Sequence, residues 1–104
     1  MPQRGTDSWN GSGVVYSDVL FAETRSGNRA CSFRLAIDKK NKSRVIVRIN
    51  AYGGNTVVIE RRQMKRGDYC IIAGELMNRV GNGEDLTEIR CEEIVIISQS
   101  ELRR

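Results

Sequence analysis

Histidine is absent from this chain of 104 residues, and proline and tryptophan each occur once. The missing imidazole removes the usual general base at neutral pH and the commonest metal ligand, so hydrolase triads and most zinc sites lose a member. There is no nucleophile elbow, no phosphate-cradling glycine loop with its lysine and no carboxylate-rich metal loop. These gaps predict a binding protein and not an enzyme, with no catalytic residues, no metal and no cofactor. Three cysteines, Cys31, Cys70 and Cys91, are an odd number without metal-ligand spacing, which points to reduced thiols in a reducing compartment. No apolar run approaches the ~18 to 20 residues of a membrane span. Residues 1–10 are polar, where a secretory signal would carry its apolar stretch. The expected location is therefore cytoplasmic, with no membrane partner.

What the chain does have is an uneven distribution of charge. Its 17 Lys plus Arg against 13 Asp plus Glu give a net charge of only +4. Residues 25–66, however, hold twelve basic side chains against two acids, a local balance of +10, while residues 67–102 hold eight acids against two arginines. Arginine outnumbers lysine 13 to 4, and its planar, weakly hydrated guanidinium suits phosphate and stacking contacts. A polyanion lying on the basic part would release condensed counterions, the sequence-independent source of nucleic-acid affinity. The competing reading is that these charges simply solvate strand and helix faces.

Periodicity reads as strands with one short helix. In residues 30–38, Cys31, Phe33, Leu35 and Ile37 alternate with Ser32, Arg34, Ala36 and Asp38, the pattern of a half-buried strand. After a polar turn at 39–43, residues 44–52 set Val45, Val47, Ile49 and Ala51 against Arg44, Ile46, Arg48, Asn50 and Tyr52. A core-facing row does not hold two arginines and a tyrosine, so the second set is assigned to an exposed face able to meet a ligand. Gly53 and Gly54 break this strand, and Asn55 is placed to cap a helix over residues 56–65. The β-branched run Val57, Val58, Ile59 resists that helix. A turn at Arg66-Gly67-Asp68 precedes a strand over 69–79, a hairpin tip at Gly81-Asn82-Gly83 and a last strand over 86–97. Toward the front, residues 11–18 are read as a strand. Residues 1–6 are expected to be disordered, 7–98 to form the domain and 99–104 to be a short polar tail. Five strands with a helix between the third and fourth describe an all-β, five-stranded Greek-key barrel, the OB-fold architecture.

The order of local motifs resembles the bacterial and phage single-stranded DNA-binding proteins. The resemblance rests on Ser26-Gly27, on Cys31-Ser32-Phe33-Arg34-Leu35-Ala36-Ile37, and on the run from Arg44 to Tyr52-Gly53. It continues through Met64-Lys65-Arg66-Gly67-Asp68 and Ile71-Ile72-Ala73-Gly74-Glu75-Leu76, with Gly13 matching the glycine that ends the family's first strand. The resemblance implies that Tyr52 is a base-stacking aromatic and that Arg48 lies on the same nucleic-acid face. It further implies that Arg34 and Arg79 approach the strand from adjoining rows. Arg44 shares the row of Arg48, and Lys39, Lys40 and Lys42 occupy a loop that either contacts nucleic acid or is merely solvated. Departures are as informative. Ile46, Asn41 and Gly81 stand where the family has tryptophans, so stacking platforms worth about 1 to 3 kcal/mol per base are missing.

Together these readings predict non-sequence-specific binding of single-stranded DNA, as in replication, recombination or repair. Two alternatives stay open: an OB-fold single-stranded RNA-binding component of an RNA-processing complex, and a protein-interaction module that has lost its nucleic-acid surface. The outward Ile46, Ile71 and Met77 predict a homo-oligomer, a dimer or tetramer. Trp9 is read as a residue packed at the barrel end or an oligomer contact. The family's acidic C-terminal tip has no counterpart in Ser98 to Arg104, so replication or recombination proteins are not expected to be recruited through such a tail. The implied setting is the bacterial cytoplasm, or host cytoplasm for a phage protein, in association with the nucleoid.

Overall fold

The computed structural model describes residues 7–38, 44–80 and 86–102. The predicted disorder of residues 1–6, the turn at 39–43 and the hairpin tip at 81–83 lie outside the described residues. Six strands form, β1 (Asp7–Val15), β2 (Leu20–Glu23), β3 (Arg29–Asp38), β4 (Arg44–Tyr52), β5 (Tyr69–Val80) and β6 (Leu86–Ile97). Helix α1 (Gly54–Arg61) lies between β4 and β5, and a single turn, α2 (Gln99–Leu102), follows β6.

Five of the strands close on themselves. The hydrogen-bonded order β1-β5-β6-β4-β3 returns to β1 through Val14 opposite Ala36 and Val15 opposite Leu35. Only β4 and β6 run parallel. This is the predicted OB-fold barrel, with its helix after the third barrel strand as expected from the sequence. The sixth strand was not predicted. β2 pairs with β3 over residues 29–32 and covers the length of the β3 edge that β1 does not reach. β1 itself also differs from the sequence reading, spanning Asp7–Val15 in place of 11–18.

Glycine makes the closure possible. A Cβ on Gly13 would collide with the Ala36 carbonyl at the point where β1 leaves β5 and turns onto β3. On the far wall, Gly74 sits at a register shift of the β5–β6 ladder, and a Cβ there would strike the Arg90 carbonyl. A bulge of this kind bends the hairpin around the barrel. Trp9, on β1, lays its ring over Gly11 and packs against the core.

The inward rows behave as their alternation predicts. Phe33, Leu35, Val47, Ile49, Ile72 and Ile89 are all buried, and the three cysteines are buried beside them. Helix α1 closes one end of the barrel with Ile59 and, just beyond it, Met64. Burying Ile59 contributes about 1.5 to 3 kcal/mol. That is enough to offset the roughly half kcal/mol of propensity lost at each of Val57, Val58 and Ile59.

The helix begins and ends differently from its sequence reading. It spans Gly54–Arg61 and not 56–65, Gly53 occupies the N-cap, and no side chain caps it. Asn55 instead sends its amide to the carbonyls of Cys91 and Glu92, at 3.4 and 3.2 Å, and so ties the helix to β6. At the other end the Met64 N–H donates to Ile59 O and the Gln63 N–H to Glu60 O. This Schellman pair reverses the chain four residues early and lets Met64 cover Ile59. Asp68, 1% exposed, then locks the segment, its carboxylate accepting from Lys65 N at 2.9 Å and from Gln99 N at 3.1 Å.

The reversal places Gln63 at φ 53°, a left-handed conformation that suits glycine. Gln63→Gly is therefore expected to stabilise the fold by about 1 kcal/mol, read as a rise in the urea midpoint at constant m-value.

Candidate nucleic-acid interface

The outer face of β2, β3, β4 and β6 gathers several of the residues singled out in the sequence. Register sets their order. Arg34 lies directly opposite Arg48, and Arg48 opposite Glu88. One step along, Leu20, Ser32, Asn50 and Arg90 form the next row, and Ala22, Ala30 and Tyr52 the one after. Two guanidinium groups facing each other across a strand pair repel. Arg34 makes no ion pair among the described residues, so nothing on its own side offsets that repulsion.

A groove of about 320 Å³ opens at this pair, lined by Arg34, Arg48, Arg66, Ser17, Asp18 and Leu20, among others. Arg66 reaches it from the turn after α1 and is held there by Asp18 at 3.5 Å. Ser17 fixes the groove wall, its hydroxyl accepting from the Arg34 N–H at 2.9 Å. A second hollow of about 210 Å³ continues from the first through the shared Leu20 and Ser32. Its walls are largely apolar, with Ala22 and Ala30 in the floor, Leu20 on one side and Tyr52, 46% exposed, on the other. The trough thus runs from a cluster of three guanidinium groups to an exposed aromatic ring. Phosphate suits the first and a nucleobase face the second.

The predicted residues are not all brought together. Arg34, Arg48 and Tyr52 border the trough, and Arg44 is exposed at the start of β4, two positions before Ile46 on the same row. Arg79 lies on β5 opposite Thr87 of β6. Lys39, Lys40 and Lys42 are outside the described residues. Of the three outward apolar residues, Ile46 sits on the arginine face, whereas Ile71 and Met77 belong to β5. Arg66 and Leu20 were missed. Arg66 was read only as part of a turn, and the signal for β2 was the apolar Leu20-Phe21-Ala22 run before the Ser26-Gly27-Asn28 turn. In the structure that turn is closed by the Thr24 N–H donating to Asn28 O and the Gly27 N–H to Thr24 O.

Several described arginines are engaged by acids. Arg48 pairs with Glu88 at 3.7 Å, Arg90 with Glu75, Arg29 with Glu60 at 3.1 Å and Arg62 with Glu101 at 2.9 Å. Arg29 also lies over the Phe21 ring, 5.8 Å from its centre, on the side of β2 that faces the helix. Asp18, Glu88 and Glu101 come from outside the +10 stretch, so three of its positive charges are answered in the fold.

Comparison with known proteins places the fold. No family model matches the sequence, and no curated protein matches it. Solved structures do. The second single-stranded DNA-binding protein of Mycobacterium smegmatis superposes with a TM-score of 0.73 at 15% identity over 88% of each chain. The mitochondrial single-stranded DNA-binding protein of S. cerevisiae gives 0.72 at 9% identity, over 91% of this chain and 98% of that one. The dimeric N-terminal domain of PriB from Thermoanaerobacter tencongensis gives 0.70 at 15% identity, over 88% and 97%. The fold they share with this chain is the OB-fold, so the resemblance read from the sequence holds at the level of fold.

None of the thiols is prepared for chemistry. Burial pushes Cys70 up to about 12, with Cys91 and Asp68 nearby adding to it, and burial likewise pushes Cys91 up to about 12. Burial also raises Cys31, with Thr56 and Arg29 opposing. The thiolate is the reactive form. At pH 8 all three cysteines are therefore expected to resist a thiol-labelling disulfide in the native protein and to react in full once urea unfolds it.

Proposed function

We propose that this protein binds single-stranded DNA with little sequence preference, in the manner needed to cover it during replication, recombination or repair. The observation that carries the reading is the continuous trough from Arg34, Arg48 and Arg66 to Tyr52. A pair of facing arginines beside an apolar hollow suits a backbone phosphate followed by an unstacked base. Duplex DNA keeps its bases stacked inside and offers nothing to the Tyr52 hollow. The role is one of binding and not of catalysis, and no described helix is long and apolar enough to cross a membrane. A cytoplasmic, nucleoid-associated setting follows from this ligand.

The trough makes the salt dependence calculable. Three phosphate contacts give a slope of log K on log salt of about −2 for a single strand, or roughly twentyfold weaker binding between 50 and 200 mM salt. Labelled oligo-dT and oligo-dU, with oligo-U as competitor, are to be titrated by fluorescence anisotropy. Tyr52→Ala should cost about 1 to 3 kcal/mol with the slope unchanged. Arg34→Ala should weaken binding and flatten the slope by about 0.7. Preference for oligo-U would move the assignment to RNA, and no binding to any polymer at low salt would leave the protein-interaction reading.

The other wall of the barrel supports self-association. On the outer face of β1, β5 and β6, Ser12, Ile71 and Val95 align in one row and Val14, Tyr69 and Ile97 in the next. Val95 is 56% exposed, with Val14 and Ile71 close behind. Exposed apolar side chains adjoining on one sheet face suit a second copy of the same face, and the PriB domain of the same fold is described as a dimer. Ile71→Glu is expected to convert the wild-type oligomer to a monomer in sedimentation velocity. An unchanged mass would remove this face as the contact.

A further inference from the structure

We propose that Glu88 limits the affinity of the trough by occupying Arg48 in the unbound protein, an inference that rests on the preceding assignment of an anionic strand to this face. The two side chains stand next to each other in register, in the row Arg34, Arg48, Glu88. Their separation of 3.7 Å is an ion pair too long to be a hydrogen bond. Arg62–Glu101, Arg29–Glu60 and Arg66–Asp18 are all shorter, so among these pairs the Arg48 guanidinium is held least closely and can turn to a phosphate, which offers it two parallel hydrogen bonds.

The carboxylate does not move with it. Asn50 donates to Glu88 Oε1 at 3.2 Å, and the Glu88 side chain is 23% exposed against 40% for Arg48. When a phosphate takes Arg48, Glu88 stays anchored beside it as an uncompensated negative charge. The next strand repeats the arrangement, since Glu75, 15% exposed, holds Arg90. Acids anchored along β6 and β5 thus form a boundary. They confine the polyanion to the β2–β3–β4 side of the face and keep its grip weak enough to exchange.

Glu88→Gln removes the charge and keeps an amide oxygen for Asn50. The test measures oligo-dT affinity over a salt series for wild type, Glu88→Gln and the control Glu60→Gln, which makes the same charge change beside Arg29 on the helix side. A pair of surface strength sets the expected gain for Glu88→Gln at about two- to fivefold at low salt, with a steeper salt slope and little change in Tm. Glu60→Gln should leave affinity near that of wild type. In an Arg48→Ala background the gain should shrink to the part that comes from removing a negative charge at the boundary. A Glu88→Gln affinity no better than that of the control, or a gain undiminished in the Arg48→Ala background, overturns the proposal while DNA binding by the wild type stands. If neither wild type nor any variant binds, both this inference and the DNA-binding assignment fall.

Discussion

Everything in this fold depends on one close approach of backbones. β1 must leave β5 and meet β3 for the barrel to close, and it does so where Gly13 passes the Ala36 carbonyl with no room for a side chain. Closure buries the inward rows of five strands against one another and leaves their outward rows as two distinct walls. One wall carries arginines and Tyr52, the other Val14, Ile71 and Val95. Because alternation along a strand has a period of two, the same register that buries Leu35 and Ile49 also puts Arg34 opposite Arg48. Core and candidate site are two consequences of a single pairing.

The strands that line the core were legible because their alternation is clean. β4 was read to the residue and β3 to within one because apolar residues at every second position fix their faces, while β5 and β6, where apolar residues also stand side by side, were bounded by the turn residues that flank them. β2 was not legible. Leu20, Phe21, Ala22 and Glu23 are all exposed, so neither face imposes a polar alternation, and the strand exists because β3 offers a free edge. The helix was placed correctly and bounded wrongly. Its N-terminal Asn55 looked like a cap but is drawn to β6 carbonyls, and its C-terminus is set by a left-handed glutamine that no propensity scale favours.

The site was legible in its residues and not in its electrostatics. Arg34, Arg48 and Tyr52 were placed on one face by period alone. Counting charges along the chain gave a strongly positive middle segment, but a fold pairs residues far apart in sequence. Asp18, Glu60, Glu75, Glu88 and Glu101 each come back to an arginine. Three of those five, Asp18, Glu88 and Glu101, come from outside residues 25–66 to answer arginines within them, which is why local composition overstated the field. Arg66 illustrates the converse, a turn residue that the fold carries into the groove.

The parallel pairing of β4 with β6 has a consequence for how the chain is made. The carboxylate that answers Arg48 and the strand that completes the barrel are both supplied by residues 86–97, which leave the ribosome after the whole basic segment has emerged. Until then β4 lacks its partner on the β6 side, Arg48 has no carboxylate beside it and the barrel cannot close. Closure of the barrel and the answering of Arg48 are thus a single late event in the making of the chain.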